Sequence, residues 1–377
     1  MKKNNYLSMF SLVMLITVSV DSIRNLPITA RFGSTLIFFF IVAAVTFLLP
    51  TGLIAAELTA SHTESSGIYG WVKKAFGKNT GFIAIWLQWV NTLVWYPTTL
   101  AFIASALLAN LTPELANNRG VITSLIIIIF WAVTLLNLRG FKTSARFAGL
   151  LAIFGLIIPL ALVIILTAVW LQQNNMPHIH LQLPTISSLS TIQNWVPMVA
   201  IVTSLLGMEL ASVHVKSIKQ PEKTMPKAIL LSAVIIITTM LLGSLAIAAT
   251  LPGKKISLAA GVMQEFHYLL HYFHVPWLEP ILSLLIIVGG LASMINWIIS
   301  PAEGLIQSAK DQYLPKFFAH RNKHGAASRL LITQAIVVSI TSLAFKLLPD
   351  LNASYWLLTA LSTELYICMY ILMFCAA

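Results

Sequence analysis

Long apolar runs separated by short polar stretches take up nearly the whole chain. Windows nearly free of charge span roughly 6–28, 35–57, 80–109, 121–138, 146–171, 192–214, 227–251, 279–309, 329–348 and 354–377. Each is long enough to cross about 30 Å of hydrocarbon as a helix. The pattern predicts ten membrane-spanning helices, five on either side of the polar stretch Gln172 to Ser190.

Two of these runs are interrupted. Asp21-Ser22-Ile23-Arg24-Asn25, followed by Leu26-Pro27, breaks the first, and Gly207-Met208-Glu209-Leu210-Ala211-Ser212 breaks the sixth. A spanning helix has no water to satisfy stray polar groups, so such residues must line a cavity or a protein interior. Breaks at matching places in two halves point to a secondary transporter. The expected fold is an all-α polytopic membrane protein with a five-plus-five inverted-repeat core, repeats at about 6–171 and 192–377, and discontinuous helices 1 and 6. The repeat rests on helix count and break position, because the halves share no identity visible by eye. One transporter domain fills the chain.

Composition agrees with this reading. Of 377 residues 58% are hydrophobic and 9% charged, and the mean hydropathy is +0.86, beyond the range of soluble domains. The formal net charge of +11 is topological. With loops alternating across the membrane and the N-terminus inside, 17 Lys and Arg fall on the cytoplasmic face and five (Arg31, Arg119, Lys254, Lys255, Lys346) on the other, with Arg24 inside the membrane. No basic run is interleaved with stacking aromatics, which excludes a nucleic-acid site. The first segment is too long and too polar in its last third for a cleaved signal peptide. Cys368 and Cys375 share one helix, too far apart to bridge, so no disulfide is expected. Glu64 to Gly77 reads as a cytoplasmic amphipathic helix and Leu258 to Phe273 as an external one, placed as a lid.

The intramembrane charges are Asp21, Arg24, Glu209, Glu303 and Glu364; the first three sit at breaks and are the leading candidates for a site. A break offers free N–H groups to a carboxylate and free C=O groups to an ammonium, which suits an amino-acid zwitterion. Asp21 and Arg24, three apart, either pair with each other on a helical turn or each take a ligand group. Trp297, after Gly289-Gly290, suggests a flat gate over a cavity. His267, His271 and His274 lie at helical spacing on the external lid. Glu265 is the one nearby carboxylate that could complete a metal clip there; a solvated face is expected instead, and no metal, with a pH-responsive lid as the alternative. No nucleotide fingerprint, P-loop or nucleophile elbow occurs, so no cofactor and no enzyme activity is expected. A gradient or exchange should drive transport.

The residues also resemble the amino acid, polyamine and organocation superfamily, and within it the bacterial glutamate/GABA antiporters. The similarity is carried by Gly33-Ser34-Thr35-Leu36-Ile37-Phe38-Phe39, Ala55-Ala56-Glu57, Ser66-Gly67-Ile68-Tyr69-Gly70-Trp71-Val72, the segment Gly207 to Val215, Lys219-Gln220-Pro221 and Ser293-Met294-Ile295-Asn296-Trp297-Ile298-Ile299-Ser300-Pro301. The resemblance implies an inner-membrane exchanger that imports an amino acid, such as glutamate, and exports its product or another amino acid; protons are the partner in the symport alternative. It implies an unwound carboxylate-binding stretch at Ser22 to Asn25, with Glu209 coupling the site to the gates and Trp297 occluding the ligand. Together with the breaks read above, the candidate substrate site is Asp21, Ser22, Ile23, Arg24, Asn25, Gly207, Met208, Glu209, Ser212 and Trp297, with gating or pH sensing at Glu209, Trp297, His267 and His271. The resembled exchangers carry uncharged residues where Asp21 and Arg24 stand and usually Arg where Glu303 stands, so this pocket has its own charge pattern. Such proteins usually continue through two more helices, whereas this sequence stops at Ala377. A proton-coupled symporter and a binding-only sensor are the alternatives.

Overall fold

The computed structural model describes residues 8–61, 67–116, 118–139, 145–173, 175–179, 190–210, 212, 218–309, 311–315 and 317–377. Residues 64–66 of the first amphipathic helix and residues 211 and 213–215 of the second break lie outside that set, as do the side chains of Asn296 and Glu303. Among the described residues the chain is helical, with no strand.

Fourteen helices run in order: α1 Met9–Val20, α2 Leu26–Ala30, α3 Thr35–Ala43, α4 Leu49–Ser61, α5 Ile68–Leu111, α6 Arg119–Leu138, α7 Ala145–Gln172, α8 Val196–Ser204, α9 Pro221–Thr250, α10 Gly261–Tyr272, α11 Glu279–Ala309, α12 Ser328–Ser342, α13 Ala344–Leu347 and α14 Leu351–Cys375. Among the described residues nine spans are long and apolar enough to cross a membrane, and the shorter Val196–Leu210 completes the ten expected. The chain is a multi-pass membrane protein. Both cysteines are free and exposed.

Local chemistry explains the divisions. Ser8 caps α1 by accepting a hydrogen bond from the Ser11 N–H. One wide turn at Ala44–Leu48 joins α3 to α4 within a single span. Gly77 has φ +85°, a conformation open to glycine, and separates the short amphipathic helix at the start of α5 from its spanning part. The amphipathic piece is tied down from below. Asp311, just past α11, accepts hydrogen bonds from Lys73 and Tyr69, and Lys78 Nζ lies 3.5 Å from its other oxygen. These donors, Lys73 foremost, hold the Asp311 carboxyl down at about 2.

A carboxyl depressed in the folded state stabilises fully above its unfolded pKa, near 3.9, and loses that contribution as pH falls towards 2. We expect Asp311→Asn to lower the thermal midpoint in detergent at pH 7, with the gap to the parent chain closing below pH 4. A gap of constant size down to pH 2 would show that the charge of Asp311 contributes nothing.

Elsewhere the bundle relies on close helix approach. A Cβ built on Gly289 of α11 would stand 2.6 Å from Gly155 Cα and 3.0 Å from the Leu151 carbonyl oxygen of α7. Helices in lipid gain cohesion from such small-residue crossings, since burial against a neighbour is no more apolar than lipid. Gly289→Val forces the two backbones apart and should cost about 1–3 kcal/mol or more, read as a lowered thermal midpoint. Gly290→Ala is the control, because its Cβ meets only the Ile103 side chain, at 3.0 Å. Equal losses in the two variants would remove the crossing as the cause.

Candidate functional site

The first break is built by two residues. Asp21 ends α1 with φ −66° and ψ 130°, and Ser22 continues extended at φ −147°. A single tight turn, Ile23–Asn25, then leads into α2, where Pro27 supplies a first-turn residue without a donor. The second break mirrors it. α8 stops at Ser204, Gly207 adopts φ +113°, and Met208, Glu209 and Leu210 form one tight turn. The two breaks touch: a Cβ on Gly207 would come within 3.1 Å of the Ser19 carbonyl oxygen. Only glycine allows both the positive φ and that approach.

Between the breaks and helices α5, α11 and α14 lies a cavity of about 90 Å³. Of the candidate residues named from the sequence, Asp21, Ser22, Arg24, Asn25 and Trp297 line it. Ile23 and Met208 instead pack in the apolar core, and Gly207, Glu209 and Ser212 are not on its wall. Asn91, Trp95, Thr203, Ser293, Ser362 and Tyr366 also line it; of these only Trp95 and Tyr366 carry a signal in the sequence, as aromatics near the middle of a span. Small hydroxyl and amide side chains at such positions look like ordinary helix packing.

Asp21 and Arg24 do not pair. Asp21 Oδ2 accepts a hydrogen bond from Thr239 of α9 at 2.7 Å, while its Oδ1 is buried without a partner. Arg24 donates from one terminal nitrogen to Thr98 Oγ1 at 2.8 Å and to the Tyr355 hydroxyl at 3.3 Å, and its Nε has no partner. Both side chains are at least 95% buried, being 3% and 4% exposed. The extended backbone at Ser22 is the reason: three residues along a helix bring side chains together, and this segment is not helical. Two buried ionisable side chains therefore line one cavity without meeting each other, and each has a polar atom without a partner. Such atoms are costly unless a ligand completes them.

An aromatic wall closes the site. The guanidinium carbon of Arg24 lies 5.2 Å from the Trp95 ring centroid, and Trp95 meets Trp297 at 5.1 Å. The Trp297 backbone carbonyl accepts from the Tyr96 hydroxyl at 2.8 Å, which fixes its helix against α5. Glu209, 2% exposed, is held by the hydroxyls of Tyr366 and Tyr370 of α14, each at 2.5 Å. Tyr370 also accepts from the Gly207 N–H at 2.9 Å. The second break is thereby fastened to α14 through one carboxylate. Glu364 is exposed on α14 and takes no part.

A second, wider recess of about 690 Å³ has Trp356 on its wall and Arg31, Arg119 and Lys255 around it. Its one acid, Asp350, is used to cap α14 through the Ala353 N–H. On the same side α10 lies over the first break: a Cβ on Gly261 would stand 2.7 Å from Pro27. Glu265 of α10 is buried and accepts from Thr250 of α9 and, at 3.2 Å, from Thr167 of α7. Burial pushes its carboxyl up to about 7 against the lowering effect of both hydroxyls. His267 and His271 are exposed on the opposite face of α10.

Comparisons with known proteins agree with this arrangement. The solved structure of MhsT in complex with L-phenylalanine matches with a TM-score of 0.63 at 13% identity, over 97% of this chain and 88% of that one. The fold is that of the transporters with a broken first and sixth helix. A transporter of Legionella pneumophila of uncharacterised activity is 40% identical over 98% of this chain and 80% of its own length. A glutamate/gamma-aminobutyrate antiporter of Lactococcus lactis subsp. cremoris is 30% identical over 89% of this chain and 67% of its own, and a probable agmatine/putrescine antiporter of Lactococcus lactis is 26% identical over 97% and 78%. The amino acid permease family model matches residues 7–377; the chain belongs to that family.

Proposed function

We propose that this chain is an amino acid exchanger of a bacterial inner membrane, with its N-terminus cytoplasmic, and that its imported substrate carries an acidic side chain. The observation that carries the reading is Arg24, a buried guanidinium without an acidic partner among the described residues. The free groups of the two breaks take the α-carboxylate and the ammonium, and Arg24 takes the second carboxylate. Asp21, on the cavity wall, offers its carboxyl to the amine of a counter-substrate. The cations around the outer recess support the same reading, since they raise the local concentration of an anion above the site. Exchange, and not one-way import, is supported by the antiporters among the similar proteins.

Alternating access supplies the mechanism: the segments of the two breaks move against the rest while the site stays between them. Trp297 and Trp95 cover the ligand from one side and Tyr366 reports its presence to Glu209. The test uses proteoliposomes. Labelled glutamate should enter only when an amino acid is preloaded inside. Uptake that ignores the internal solution would replace exchange by symport, and thermal stabilisation by amino acids without any flux would leave a binding-only protein.

A further inference from the structure

The loop that follows α10 reverses sharply. Phe273 closes the helix, His274 takes φ +58°, and the Val275 N–H returns to the Leu270 carbonyl at 2.8 Å. A tight turn at Pro276–Leu278 then starts α11, and Glu279, its first residue, comes back beside the exposed face of α10. Glu279 Oε2 lies 3.2 Å from His267 Nδ1, and the His267 and His271 rings are 4.3 Å apart between centroids. One ligand atom from each of the three residues falls within 4.8 Å of the others.

From this geometry we infer a transition-metal site, fitted to zinc, formed by His267 and His271 of α10 and Glu279 of α11. Two imidazoles and a carboxylate are a donor set that selects zinc over magnesium or calcium, which take oxygen ligands. Donor atoms bound tetrahedrally at about 2.0–2.1 Å stand about 3.4 Å apart. The Glu279–His267 separation already meets that figure, and rotation of the exposed His271 ring brings in the third. Water takes the fourth position. The neighbouring carboxylate that sequence spacing favours, Glu265, points the other way and is consumed by Thr250 and Thr167.

The position gives the ion a purpose. α10 is tied on its inner face to α7 and α9 by Glu265 and presses Gly261 against Pro27 of the first break. A metal on its outer face links it to α11 as well. A lid held on both faces follows α2 less freely, so bound zinc slows exchange from the lid side.

The experiment uses purified full-length protein with any affinity tag removed, titrated with zinc chloride against a chromophoric zinc chelator. We expect one zinc per chain, unaffected by excess magnesium. His267→Ala, His271→Ala and Glu279→Gln should each weaken binding by at least about 10-fold, the loss that even an outer-shell partner can cause. His267 and His271 are exposed and Glu279 is half-buried, so folding of each variant is checked by retained thermal midpoints without metal. His274→Ala should bind as the parent does. Cobalt gives a second readout, a visible four-coordinate absorption present in the parent and absent in His271→Ala. No saturable binding, or binding equal in all three ligand variants and the parent, overturns the site.

Discussion

Arg24→Ala should lower the affinity for acidic amino acids by about 10-fold or more while leaving that for neutral amino acids within a few-fold. Charge-assisted hydrogen bonds contribute about 1.5–3 kcal/mol, and each 1.4 kcal/mol is a factor of ten. The parent holds Arg24 with two neutral acceptors, Thr98 and Tyr355, and one aromatic face, none of which balances its charge. An arriving carboxylate does. The variant also unloads the Thr98 and Tyr355 oxygens, so Arg24→Lys serves as the companion: it keeps the charge and loses the fork. Lysine should restore part of the acidic preference and little of the affinity. Competition of labelled glutamate by unlabelled glutamate, leucine and serine measures all of this in one assay. Equal losses for acidic and neutral competitors would show that Arg24 reads the α-carboxylate or holds the fold, and the acidic-substrate reading would fall.

The two breaks were legible because polar residues inside apolar windows have no innocent explanation in lipid. What those residues do next was not. Spacing alone leaves Asp21 and Arg24 free to pair, since i to i+3 neighbours meet on a helix; the extended Ser22 separates them, and nothing in the letters fixes that φ of −147°. Glu209 was legible as a buried acid, yet its partners come from α14, more than 150 residues on, through two tyrosines at helical spacing that read equally well as packing. The lid shows the same limit. Its histidines stand out in sequence, but the carboxylate that meets them arrives by way of the turn Pro276–Leu278, while the acid two positions away faces the bundle.

Removing the Glu209 carboxylate should have the second large effect. Glu209→Leu strands the Tyr366 and Tyr370 hydroxyls in a buried setting, and each unmet group costs about 1–3 kcal/mol. We expect a loss of several kcal/mol, read as a lower thermal midpoint, together with loss of exchange. Glu209→Gln retains one acceptor oxygen and should keep about half of the stability. The tyrosines divide the role. Tyr370 also accepts the Gly207 N–H, so Tyr370→Phe leaves a backbone donor of the second break unmet and should act chiefly on stability. Tyr366 lines the cavity, so Tyr366→Phe should act chiefly on substrate affinity, with a smaller change in midpoint. That split is what a carboxylate connecting the site to the break requires: one tyrosine faces the ligand, the other the hinge, and Glu209 joins them. If both phenylalanine variants change stability and affinity to the same degree, Glu209 is only a fastening between α14 and the sixth span, and the connection from ligand to hinge must run through other residues.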